Sequence, residues 1–72
     1  MFSREVFARR LRALRKGAGE KQESLAEVLG VTTTQISDME NGKTTTTLEK
    51  FVLICEHYRV SADYLLGLRN EP

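Results

Sequence analysis

Phe7, Leu11, Leu14 and Ala18 recur at spacings of four, three and four, the period that gathers side chains on one stripe of an α-helix. The pattern predicts a first helix over about residues 3–16 with those four side chains inward, ended by Gly17 and Gly19, because glycine is costly inside a helix and common just past its end. Leu25, Ala26 and Leu29 form the next stripe, over residues 22–29, and Gly30 stands where a residue without Cβ accommodates positive φ. Thr32 and Gln35 match a capping box, so a third helix is expected from Thr33, carrying Ile36 and Met39 inward and closing at Asn41 and Gly42. A second capping box, Thr46 with Glu49, predicts a fourth helix ending near Arg59, with Phe51, Ile54, Cys55 and Tyr58 inward. Ser61 caps a last short helix holding Tyr64 and Leu65 before Gly67, and residues 68–72 are expected to fray. No period-two strand pattern interrupts this order, so the expected fold is all-α: a compact five-helix domain over residues 1–72, with its core at about 3–67.

Composition supports that reading and narrows the function. A chain of 72 residues buries only about 60% of its unfolded surface, which favours short helices around one small core. The single cysteine, Cys55, excludes an intrachain disulfide, no apolar run approaches the roughly 20 residues of a membrane span, and no signal peptide opens the chain, so a cytoplasmic protein without membrane contact is expected. Cys55 falls on an inward stripe and His57 has no second ligand at a usable spacing, since its neighbour Glu56 points about 100° away on a helix. Neither a catalytic set, a metal site nor a cofactor site is therefore expected.

Charge changes the picture most. The net charge is only +1, but residues 1–16 hold Arg4, Arg9, Arg10, Arg12, Arg15 and Lys16 against Glu5, whereas the rest of the chain is net acidic at −4. One end of the molecule is basic, as nucleic-acid binders require locally. The segment from Gln22 to Asn41 meets the steric needs of a helix-turn-helix. Ala26 is small where two helices approach, Gly30 makes the turn, and Leu25, Leu29, Val31, Ile36 and Met39 point into the wedge between the helices and the rest of the bundle.

Over about residues 7–67 the sequence resembles the phage-repressor-like helix-turn-helix family, the lambda-repressor-like domains of phage Cro and repressor proteins and of many bacterial regulators of the XRE type. Its carriers are Leu14-Arg15, Gln22 with Leu25-Ala26 and Gly30-Val31, Ile36 with Met39-Glu40-Asn41-Gly42-Lys43, Leu48, Phe51, and Val60 through Gly67. The resemblance implies a pair between Arg15 and Glu40 that braces the first helix to the third. The chain departs from the family just before the second helix, where Glu20 and Lys21 replace the usual apolar residue and Ser or Thr cap. That removes the hydrophobic staple and sets an acid near the expected path of phosphates, with Lys21 beside it to offset the charge.

The expected function is sequence-specific binding of double-stranded DNA by a transcription regulator, a repressor acting as a homodimer on a palindromic operator. The third helix would read the major groove through Thr33, Thr34, Gln35, Ser37 and Asp38, with Thr33 and Thr34 foremost. A threonine offers a hydroxyl to base edges and a methyl to thymine, whereas Asp38 could accept from cytosine but would be repelled by phosphate; Gln35 is contested between bases and its capping box. Phosphates would be held by Gln22, Asn41, Lys43, Thr44 and Thr45. Val52, Leu53, Leu66 and Leu68 are candidates for the dimer interface. The alternative is a protein-interaction module, such as the antitoxin of a toxin–antitoxin pair, with a protein partner and secondary DNA binding.

Overall fold

A computed structural model of the chain describes residues 1–72 and contains five helices: α1 (Arg4–Gly17), α2 (Gln22–Leu29), α3 (Thr33–Glu40), α4 (Leu48–Tyr58) and α5 (Ala62–Leu66). Local chemistry sets most of their starts. Ser3, Thr32, Thr47 and Ser61 each accept a hydrogen bond from the backbone N–H three residues on, which occupies one of the four donors that a helix start leaves unpaired. At α3 the box is reciprocal: Gln35 Oε1 accepts from the Thr32 N–H at 2.9 Å while Thr32 Oγ1 accepts from the Gln35 N–H at 3.1 Å. The fourth helix differs from expectation. Thr47, not Thr46, is its cap, accepting from the Lys50 N–H, and Glu49 closes no box. The spacing to Glu49 favoured Thr46, but a threonine cap needs only the backbone N–H three residues on, which Lys50 supplies to Thr47.

The turn between α2 and α3 is a Schellman ending. The Val31 N–H donates to the Ala26 carbonyl and the Gly30 N–H to that of Glu27, with Gly30 at φ 68°. Any side chain would strain that backbone, and this bend sets the angle between the two helices. At the end of α4 the same left-handed position is taken by Arg59, at φ 54°, where no glycine marked the stop.

The core gathers one stripe from every helix: Phe7 and Leu11, Leu25, Ala26 and Leu29, Ile36 and Met39, Ile54, and Leu65. Leu14, Val31, Phe51, Cys55, Tyr58, Val60 and Tyr64 pack around it, half-buried. Ala18 does not join them, because α1 ends at Gly17 and leaves it exposed; the inward face of α1 is completed by Ala8 and Arg15. Residues 68–72 are tied down rather than frayed. Arg10 reaches across to the carbonyls of Tyr64 and Arg69 and to Asn70 Oδ1, its guanidinium lies 4.4 Å from the Tyr64 ring centroid, and the Ser61 N–H donates to the Pro72 carbonyl. No helix is long and apolar enough to cross a membrane.

Candidate nucleic-acid interface

The first turn of α3 presents Thr33, Thr34 and Gln35 to solvent, since Ile36 and Met39 take the inward face and Thr32 supplies the cap. Thr33 and Thr34 carry no side-chain hydrogen bond within the protein, so both hydroxyls are free for a ligand. Gln35 is different: its Oε1 is committed to Thr32, so only its Nε2 donors remain. One turn on, Ser37 and Asp38 are half-buried, and Ser37 Oγ accepts from Asn41 Nδ2 at 3.4 Å. Eight residues at about 1.5 Å each make α3 about 12 Å long, comparable with the width of the major groove of B-DNA.

The turn after α3 is held from two sides. The Lys43 N–H donates to the Asp38 carbonyl at 2.9 Å, and the Lys43 carbonyl accepts from Arg4 Nη1 at 3.0 Å, which leaves the lysine side chain exposed on a fixed backbone. Thr44 and Thr45 are exposed and line one hollow with Gln35, Asp38 and Lys50. Lys50 is a cation that the pattern-based reading missed; the signal was its place three residues after the Thr47 cap, which sets it on the first turn of α4.

The start of α2 has no cap of its own, Lys21 making no side-chain hydrogen bond there. A chain of charged contacts holds it instead. Arg15 and Glu40, only 8% and 7% exposed, meet at 2.6 Å from Nε to Oε2 and 3.0 Å from Nη2 to Oε1. Gln22 Nε2 donates to the same Glu40 Oε1 at 3.1 Å, and Arg15 Nη1 donates to the Glu20 carbonyl at 2.7 Å. Gln22, expected at phosphate, spends one of its two Nε2 donors on this brace and keeps the other. The hydrogen bond to Glu40 outweighs burial and raises the Arg15 pKa, so the guanidinium stays charged.

Glu20 also differs from expectation. Its carboxylate turns to α4, where Tyr58 Oη donates to Oε1 at 2.7 Å and His57 Nε2 to Oε2 at 2.6 Å. Burial pushes the Glu20 carboxyl up, but the hydrogen bonds from Tyr58 and His57 outweigh it and hold the group below its ordinary value. Burial and the same carboxylate push the Tyr58 phenol up. His57 is thus the partner of an acid, which it shares with Tyr58.

Residues 11–65 match the helix-turn-helix family. The chain belongs to that family. It is 36% identical over 67 residues, 93% of its length, to the uncharacterised helix-turn-helix-type transcriptional regulator YobD of Bacillus subtilis, and it spans 60% of that relative's length. Among solved structures, the P22 c2 repressor protein in complex with a synthetic operator superposes with a TM-score of 0.79 at 31% identity, covering 85% of this chain and 92% of that one. A transcriptional regulator from Listeria innocua gives a TM-score of 0.83 at 32% identity, covering 92% and 62%.

Two further features of this helix-turn-helix chain bear on function. Leu68, Val52 and Leu53 are 66%, 51% and 41% exposed, while Leu66 is half-buried in an apolar hollow with Phe2, Phe7, Leu48 and Phe51. Leu48, at 80% exposure, shares that hollow with Leu66 and lies one helical turn before Val52, yet it was not among the interface candidates read from the sequence. The half-buried Cys55 thiol is pushed up by burial, the reverse of an activated nucleophile.

Proposed function

We propose that this chain is a sequence-specific double-stranded-DNA-binding transcription regulator, a repressor that reads a palindromic operator as a homodimer. The carrying observation is the bare first turn of α3, where Thr33 and Thr34 stand free, with a braced turn that offers Lys43 at the other end of the helix. In this reading α3 enters the major groove, Thr33, Thr34 and the free donors of Gln35 meet base edges, and Ser37 and Asp38 border them. Asn41, Lys43, Thr44, Thr45 and the unpaired N–H groups at the start of α2 hold the two flanking backbones, with Gln22 positioning that start through Glu40. The braces matter because a contact to phosphate fixes register only when its own backbone is fixed. Support for the family role comes from relatives that are transcriptional regulators and from a repressor seen with its operator.

One such domain covers a half-site, so a pair with recognition helices about 34 Å apart would match a palindrome. The apolar surface of Leu48, Val52, Leu53, Leu66 and Leu68 is the proposed contact between the two copies. The same surface would serve a protein partner under the antitoxin reading. Fluorescence anisotropy on a random-sequence duplex separates the two. DNA binding through several phosphates weakens linearly in log salt, with a slope near −0.9 per phosphate. Absence of binding, or an affinity indifferent to salt, contradicts the DNA reading, and a monomer at high concentration by sedimentation contradicts the homodimer.

A further inference from the structure

The cations of α1 divide into two sets. Arg4, Arg10 and Arg15 are engaged inside the fold, at the Lys43 carbonyl, at the α5 and C-terminal carbonyls, and at Glu40. Arg9, Arg12 and Lys16 are exposed and make no hydrogen bond or ion pair with the protein. Their spacing of three and four residues sets them along one edge of the helix. They line a groove whose opposite wall is Glu40, Asn41 and Gly42. Glu40 is committed to Arg15 and Gln22, so the groove's only free carboxylate is Glu5, at one end. Three like charges are held there against one acid.

We infer that this groove is a second phosphate track, which takes the sugar–phosphate backbone of duplex DNA lying beyond the half-site read by α3. Three observations point to phosphate. The track begins at Asn41, the turn assigned above to backbone contact, so it continues that interface rather than opening a separate one. Arg9 to Lys16 spans about 10.5 Å of helix, long enough for its cations to meet more than one phosphate of a strand. The only hydrophobic residues in the groove are Ala8 and Ala13, which let a backbone approach but give a protein partner no aromatic or large aliphatic anchor. An acidic protein would need such an anchor; a polyphosphate chain needs only charge and access.

The inference rests on the DNA-binding reading and is tested so that the two fail separately. Two labelled duplexes share one selected operator, the shorter ending at its edges and the longer carrying flanking base pairs of arbitrary sequence. Wild-type protein is expected to bind the longer one more tightly and with a steeper salt slope. Arg9→Ala, Arg12→Ala and Lys16→Ala should each lower that slope by about 0.9 on the longer duplex only, and the triple variant should lose the length-dependent gain. Alanine suits an exposed helix position, so the variants should retain wild-type helicity by circular dichroism. Equal losses on both duplexes, an unchanged slope in the triple variant, or the same length-dependent loss from Arg59→Ala just past α4 would overturn the track. Wild-type binding to the shorter duplex with no gain on the longer one overturns the track alone. No binding to either overturns the DNA reading as well. Retention of both DNA affinities by the triple variant, with loss of binding to an acidic peptide, would assign the groove to a protein.

Discussion

The two helices of the helix-turn-helix are eight residues each, yet they begin in opposite ways. The α3 start is self-contained: Thr32 and Gln35, three positions apart, satisfy each other's backbone donors. The α2 start has no cap and is fixed by residues far away in the chain, with Arg15 and Glu40 on either side of it and His57 and Tyr58 on α4 clasping Glu20. The reading helix therefore starts through local chemistry, which is nearly independent of the rest of the fold, whereas its partner is aligned only when α1, α3 and α4 are already packed. A protein built this way should lose its α2 anchor before its α3 start when tertiary contacts weaken.

Removing half of the brace should be the most damaging change. Glu40→Gln leaves the Arg15 guanidinium buried without its counter-ion, and urea unfolding should show a loss of about 3 kcal/mol or more. A loss under about 1 kcal/mol would mean that the pair contributes no more than a surface contact. Glu20→Gln comes next. It removes the charge and leaves one acceptor oxygen for the two donors Tyr58 and His57, but the site is partly open to solvent, so about 1 kcal/mol is expected. The acid signature of this contact is specific. Because the folded Glu20 carboxyl lies below its ordinary value, its contribution is fully present above the unfolded pKa of about 4.3 and is lost as pH falls through the lower folded value. The stability gap between wild type and Glu20→Gln should therefore close in acid; a gap that widens there would reverse the assigned sign. The smallest effect belongs to the self-contained start: Thr32→Ala should cost about 0.5 to 1 kcal/mol, since the cap is exposed. If Thr32→Ala proved as costly as Glu40→Gln, the contrast between the two starts would fail.

The same division explains what could be read from the chain. Helix periods, glycine stops and the Thr32 box are local, and they place α2 and α3 at the predicted residues. The Arg15 and Glu40 pair was accessible only through the family resemblance, because a sequence period reports a face and not a partner 25 residues away. Glu20 looked like a defect for the same reason: its partners lie 37 and 38 residues on, and only the packing of α4 against α2 brings them within reach. Arg10, counted among a run of surface cations, turned out to clamp the C-terminal residues, and the register of the α4 cap was hidden by the threonine repeat. The exposed base-reading candidates needed no partner at all. They could be placed by helix face alone.

If α3 reads bases while the turn after it holds backbone, paired titrations of Thr34→Ala and Lys43→Ala should separate the two roles. On an operator selected from a random duplex library, Thr34→Ala should lose about 1 to 3 kcal/mol of binding, and on random DNA almost nothing, with its salt slope unchanged. Lys43→Ala should weaken both and lower the slope by about 0.9. Equal losses by Thr34→Ala on the two sequences, or a sequence-dependent loss by Lys43→Ala, would contradict the assignment of reading to α3.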